Sequence, residues 1–169
     1  MSEVLHPSTL PLEQLRSECT VERVRRSGPG GQNRNKVETG VVIRHEPTGV
    51  RAEANERRSQ AENLAVAWQR LRVRLAVTVR SEAIIGDPSA LWRSRVVGAS
   101  IQVNQGHVDY PALLAEALDA LAAADWDIAT AVALFGVSRT QFTKLLRREP
   151  EAFALLNLER ETRGLRRLA

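Results

Sequence analysis

Between residues 28 and 31 the chain can continue neither a helix nor a central strand, because Gly28-Pro29-Gly30-Gly31 places three glycines and a proline in four positions. Glycine removes the Cβ atom that bars positive φ and close approach, and proline fixes one torsion between them. An ordinary turn needs one glycine or a Gly-Pro pair, so this density implies an exposed loop whose main chain something else can nearly touch. Ser27 precedes the run, and Gln32 closes it, followed by Asn33-Arg34-Asn35-Lys36. Taken alone, the run also fits a surface turn with a solvated Gln32.

The flanks supply a frame. From Cys19 to Arg26, Val21 and Val24 alternate with charged residues and predict a short, half-exposed strand. Downstream, Val41, Val42 and Ile43, the turn residues Glu46-Pro47-Thr48-Gly49, and Val50 to Ala54 predict a hairpin. A helix should follow, since Ser59 and Glu62 have capping-box spacing and Leu64, Trp68, Leu71 and Leu75 recur every three or four residues. That stripe can cover one face of the sheet, from which the loop projects.

The charge is uneven. Residues 1–80 hold 14 basic and 9 acidic side chains, while residues 81–169 hold 10 basic and 11 acidic, within an overall net charge of +4. Arginine supplies nearly all the cations, with only Lys36 and Lys144 as lysines. Planar guanidinium groups suit phosphate contacts and base stacking, so the clustering points to RNA, although any one arginine taken singly fits a solvated surface better.

These residues carry a resemblance. The stretch from about Cys19 to Leu75 resembles the peptidyl-tRNA hydrolysis domain of the class I peptide chain release factors, marked by Gly30-Gly31-Gln32. The flanks match in order: Arg26-Ser27-Gly28-Pro29, then Asn33 and Asn35, then His45-Glu46-Pro47-Thr48-Gly49, then Glu56-Arg57-Arg58-Ser59-Gln60. The form around the tripeptide is similar to that of short, codon-independent ribosome-rescue hydrolases. The resemblance implies a loop that enters the ribosomal peptidyl transferase centre and promotes attack of water on the peptidyl-tRNA ester. It implies Gln32 as the catalytic residue, Gly30 and Gly31 as the residues that shape its backbone, and Gly28 and Pro29 as those that set the loop. Arg26, Arg34, Lys36, Arg57 and Arg58 would contact RNA. The implied partners are the ribosome, ribosomal RNA and peptidyl-tRNA, with no cofactor. Short rescue hydrolases end in a lysine- and arginine-rich tail, for which Arg163, Arg166 and Arg167 are a poor substitute.

Other chemistries find little support. Cys19 is the single cysteine, which excludes an internal disulfide, and in a strand it reads as a small apolar residue. His6, His45 and His107 are too scattered for a zinc-ligand spacing. No apolar run is long enough to span a bilayer and the first residues lack a secretory pattern, so the expectation is a cytoplasmic protein with no membrane partner.

The second half reads as helical. Gly86-Asp87-Pro88 punctuates a connection, Val96 to Val103 is a short apolar stretch, and Trp92 is better suited to packing than to stacking on RNA. Asp109 is a plausible cap, Pro111 fits a first turn, and Leu113, Leu114, Ala117, Leu118 and Leu121 form a stripe. Three further helices are expected: Asp127 to Leu134, one capped by Ser138 with Phe142, Leu145 and Leu146, and one from Pro150 toward Leu168. The turn Phe135-Gly136-Val137 fits a helix-turn-helix of DNA-binding type, with Arg139, Gln141, Lys144, Arg147 and Arg148 toward nucleic acid. It equally fits an antiparallel bundle.

The expected fold class is therefore α+β, a small β-sheet with a covering helix, followed by an all-α module of possible helix-turn-helix type. The expected divisions are a hydrolysis domain over 1–80, a connection over 81–108 and a helical module over 109–169. A non-catalytic RNA-binding factor and a DNA-binding regulator are the competing functional readings, and the oligomeric state stays open.

Overall fold

The computed structural model describes residues 5–25, 39–81 and 86–169. Arg26, Gly28, Pro29, Gly30, Gly31, Gln32, Arg34 and Lys36 lie outside these described residues. A 3-10 turn at Pro7–Thr9 leads into α1 (Leu12–Ser17), then β1 (Cys19–Val24), β2 (Gly40–His45), β3 (Arg51–Ala54) and α2 (Gln60–Thr78). The three strands form an antiparallel sheet in the order β1-β2-β3, with Cys19 opposite His45 and Val24 opposite Gly40.

Cross-strand register shows which residues share the helix-covered face, although β2 is buried on both sides from Gly40 to Ile43. Val41 and Ile43 of β2 and Ala52 and Ala54 of β3 are buried on one face, and α2 lays Ala67, Trp68, Leu71 and Leu75 against them, with Leu10 and Leu15 closing the edge. The helix begins where predicted, since the Ser59 hydroxyl accepts the amide of Glu62 at 3.3 Å. β1 is the half-exposed strand expected, with Val21 at 45% exposure.

The opposite side of α2 serves a second core. Ala76, with Val73 and Val77, packs into a cluster built on α4 (Tyr110–Ala123), whose Leu113, Leu114, Ala117, Leu118 and Leu121 are fully buried. Around α4 stand α3 (Ala90–Arg95), a hairpin of β4 (Val96–Val97) and β5 (Ser100–Ile101), α5 (Ile128–Val132), α6 (Arg139–Arg147) and α7 (Pro150–Thr162). Trp92 is fully buried, donates from Nε1 to the Phe135 carbonyl at 2.9 Å and meets the Phe135 ring edge-on at 4.7 Å. Trp92 is thus a core residue, as its context predicted.

Polar contacts tie the two cores together. The Asp119 carboxylate of α4 accepts Arg80 and the Ser81 amide, each at 3.1 Å. Arg72 of α2 donates to the carbonyls of Ser8 and Leu10, and His6 meets the Val79 carbonyl through Nε2 at 3.0 Å.

Two local expectations need correction. Asp109 occupies the cap position of α4, yet its φ of −81° and ψ of −14° are already helical and its side chain makes no cap bond; the carboxylate instead accepts Arg95 Nε at 3.1 Å. Helix α7 stops at Thr162 instead of running toward Leu168. Gly164 takes a φ of +70°, and the amides of Gly164 and Leu165 return to the carbonyls of Glu161 and Arg160, a glycine-terminated helix end. The chain then folds back, and the Leu168 amide donates to Asn157 Oδ1 at 2.8 Å.

Candidate functional site

The glycine-rich run lies between two residues that are cross-strand partners. Val24 ends β1, Gly40 begins β2, and the two are paired, so the intervening sequence starts and ends at the same end of the sheet. The junction is tight: a Cβ on Gly40 would lie 2.8 Å from Val24 Cγ2 and 2.9 Å from the Val24 carbonyl oxygen. Only glycine at position 40 lets β1 and β2 approach this closely where they pair.

A buried amide secures the returning side. Asn63, fully buried in the first turns of α2, donates from Nδ2 to the Thr39 carbonyl at 2.7 Å and to the Arg57 carbonyl at 3.0 Å. Its Oδ1 accepts the Arg57 amide at 2.9 Å. One side chain thereby ties Thr39, the 55–59 turn and the start of α2 together. Sequence reasoning missed Asn63, since a lone asparagine within an apolar stripe carries no periodic signal.

The same turn places Arg57 and Arg58, two of the five predicted RNA contacts, with exposed side chains beside the loop's base. Four other arginines of this half are engaged within the fold. Arg70 pairs with Glu56 at 2.5 Å, Arg74 donates to the Arg51 carbonyl at 2.6 Å, and Arg72 and Arg80 make the structural bonds described above. The block His45 to Gly49 is a clip: buried His45 meets Glu18 Oε2 at 2.9 Å and the Thr48 hydroxyl at 2.7 Å, and Gly49 takes a φ of +71°.

Cys19 is half-buried at the start of β1, where burial and the neighbouring Glu18 and Glu46 carboxylates push its thiol up to about 11. A thiol so reluctant to ionise is a poor nucleophile near neutral pH. His6 is buried and its pKa is lowered, first by desolvation; its Nδ1 accepts the Ser8 amide at 3.1 Å. His107 accepts the Asp109 amide at 3.1 Å through Nδ1, so each histidine has a local structural task.

In the second half, α5 and α6 flank a turn at Gly136, whose φ is +66°. Arg139, Lys144 and Arg147 are on α6 with Arg139 and Arg147 exposed, Gln141 is half-buried, and Arg148 is turned back to donate to the Val103 carbonyl.

Residues 11–92 match the model of the RF-1 domain. The chain is 43% identical over 67 residues to a peptide chain release factor 2 from Paramagnetospirillum magneticum, covering 40% of this chain and 18% of that protein. It is 46% identical over 59 residues to a peptide chain release factor 2 from an Acidovorax species, covering 35% of this chain and 16% of the relative. A peptide chain release factor 1 from Variovorax paradoxus is 39% identical over 83 residues, covering 49% and 22% respectively. The chain thus spans only about a fifth of the length of these relatives, and no solved structure matches it. Residues 11–92, which include the three-stranded sheet and its covering helix, thus match the RF-1 domain and make this part of the chain similar to the class I peptide chain release factors.

Proposed function

We propose that this protein hydrolyses peptidyl-tRNA on the ribosome without reading a codon, freeing nascent peptides from stalled complexes. The observation that carries this reading is the position of the glycine-rich run inside the matched segment 11–92, between cross-strand partners Val24 and Gly40 whose junction Asn63 secures. A loop based on a sheet edge and a buried amide has a fixed origin from which to reach into a partner.

In the proposed reaction a water oxygen attacks the ester carbonyl carbon, negative charge gathers on the carbonyl oxygen, and the bond to the tRNA 3′ oxygen then breaks. The leaving oxygen takes a proton and departs as a hydroxyl. The Gln32 main-chain N–H would stabilise the oxyanion, and a preoriented donor of this kind contributes about 3–4 kcal/mol to lowering the barrier. Gly30 and Gly31 allow that amide to be presented, Gly28 and Pro29 set the approach, and ribosomal RNA and substrate groups handle the proton. Arg26, Arg34, Lys36, Arg57 and Arg58 would bind ribosomal RNA phosphates. No metal or cofactor enters the scheme.

Within this reading residues 1–80 carry the chemistry, residues 81–108 connect, and residues 109–169 form an accessory helical module. The cytoplasm is the proposed site of action; among the described residues no helix is long and apolar enough to cross a membrane. The test is release of labelled peptide from purified ribosomes whose A site holds a stop codon, a sense codon or no codon. Release in all three, lost in Gln32→Pro, which has no main-chain N–H to offer the oxyanion, is expected. Release only at stop codons would replace rescue by termination, and no release by the unaltered protein would overturn hydrolysis.

A further inference from the structure

The outward face of α6 is the most cationic feature of the second half that core packing does not explain. Arg139, Thr140, Thr143 and Arg147 line one wall of an open cleft of about 320 Å³, and Arg160 of α7 closes it. The guanidinium groups at its inner end are held in place. Arg147 lies 4.9 Å over the Phe153 ring and donates to the main-chain oxygen of Ala169, while Arg160 donates to the carbonyls of Arg166 at 3.0 Å and Trp126 at 2.9 Å. Arg139, at the start of α6, is exposed, and Lys144 extends the same helix's positive charge.

One carboxylate, Asp127, sits in the same cleft. It is already engaged in capping α5, accepting the Thr130 hydroxyl at 2.7 Å and the Thr130 amide at 2.9 Å. Those bonds, with a smaller contribution from the Arg139 charge, hold the carboxyl below its ordinary range. Three guanidinium groups and two hydroxyls line this cleft with one occupied acid, and Arg147 and Arg160 keep their positive charge there while part of each fork serves main-chain oxygens, in a half of the chain that is otherwise slightly acidic. Fixed guanidinium groups with neighbouring hydroxyls are donors suited to phosphate oxygens.

We infer that the α6 face, Arg139, Thr140, Thr143, Lys144 and Arg147 with Arg160 of α7, is a second binding surface for the RNA sugar-phosphate backbone, separate from the loop between β1 and β2. DNA reading by a helix-turn-helix also requires the first helix to grip the duplex backbone. Here α5 is five residues long, and Ala129, Thr130, Ala133 and Leu134, on its outward side and just after it, carry no cation. A backbone contact without base reading fits RNA recognised by shape. The choice of RNA as partner rests on the ribosomal reading above, whereas the phosphate chemistry rests on the α6 face alone.

The experiment uses the full chain and three fluorescein-labelled probes: a single-stranded RNA of about 20 nucleotides, an RNA hairpin and a duplex DNA, sizes that span a backbone-binding footprint. Anisotropy titrations at several salt concentrations compare the unaltered protein with Arg139→Gln/Lys144→Gln and with Arg139→Lys. The double variant should bind RNA about tenfold more weakly, with the slope of log affinity against log salt reduced by about 0.7–0.9 for each phosphate no longer neutralised, while Arg139→Lys should retain binding. Unchanged tryptophan fluorescence and melting temperature would show that folding is intact. Equal RNA affinity and equal salt slope in the double variant would overturn the inference, and so would tighter binding to the DNA duplex than to either RNA. Peptide release on ribosomes reports separately on the loop: failed release with α6-dependent RNA binding removes the hydrolase reading alone.

Discussion

Asn63 Nδ2 donates to the carbonyl of Thr39 at 2.7 Å, across 24 residues of sequence, and so connects the covering helix to the last described residue before β2. Asn63 is fully buried and its partners are partly so, and removing its amide strands the Thr39 carbonyl and the Arg57 amide and carbonyl without their side-chain partner. Each stranded group costs about 1–3 kcal/mol. Asn63→Ala should lower the urea midpoint markedly and reduce peptide release even at temperatures where the protein stays folded. Asn63→Asp, which keeps the acceptor for the Arg57 amide but turns a buried carboxylate oxygen toward the Thr39 and Arg57 carbonyls, should be destabilised at least as much as Asn63→Ala at neutral pH.

Gly40→Ala places a methyl 2.9 Å from the Val24 carbonyl oxygen, an atom held by the strand pairing and unable to rotate away. Overpacking of this kind typically costs about 1–3 kcal/mol. The expected outcome is a modest loss in thermal stability with a disproportionate loss of release, measured on the same preparations. Normal release by a destabilised Gly40→Ala would separate the strand junction from the chemistry.

Gly31→Ala should behave in the opposite proportion. On the proposed reaction, a surface substitution of this kind changes stability by less than about 0.5 kcal/mol, whereas misplacing the Gln32 amide slows the chemical step about 100- to 1,000-fold. Release kinetics at saturating protein, beside a denaturation curve, will show whether the two effects part company.

Trp92 anchors the second core by area and by a hydrogen bond. Trp92→Ala should cost about 3–5 kcal/mol, as large-to-small core changes do. Trp92→Phe keeps a ring against Phe135 but leaves the Phe135 carbonyl without its donor, for a loss of about 1–3 kcal/mol. Urea denaturation of the two variants tests this ranking.

The pH dependence of stability should carry a histidine signature. Burial lowers the pKa of His6, opposed by the Val79 carbonyl and Asp119 and aided by Arg80, so the folded chain resists a proton that the unfolded chain accepts below about 6.5. Stability from this group is complete above that value and declines as the pH falls below it. Asp119 acts with the opposite sign: burial raises its carboxyl, so its contribution diminishes as the pH rises from the unfolded carboxylate range, about 3.9, toward the folded value. Urea midpoints measured from about pH 8 down to about pH 5, a window that brackets the unfolded histidine value, should fall in the unaltered protein and fall less in His6→Gln.

Much of the first core was legible in the sequence because period and punctuation coincide there. Ser59 with Glu62 marks the start of α2, Trp68, Leu71 and Leu75 mark its buried face, and Glu46 to Gly49 marks the hairpin turn. The stripe of α4 was equally plain. Asn63 was not legible, because its role depends on a carbonyl 24 residues away. Nor were α3 and the β4–β5 hairpin, since six- and two-residue elements are too short to show a period and are held by Trp92 and Ile101 in a distant core. Arg148 looked like a surface cation, yet the Val103 carbonyl claims it. The predicted catalytic set, by contrast, came from residue identity and order alone, which is why its test is chemical.

Helix α2 gives Leu75 to one hydrophobic cluster and Ala76 to the next. A party wall of this kind makes neighbours answerable for each other: cutting the chain after it would leave Val73, Ala76 and Val77 facing water, and melting either side would unroof the other. Heat should accordingly dissolve the whole molecule in a single cooperative step, with no surviving half.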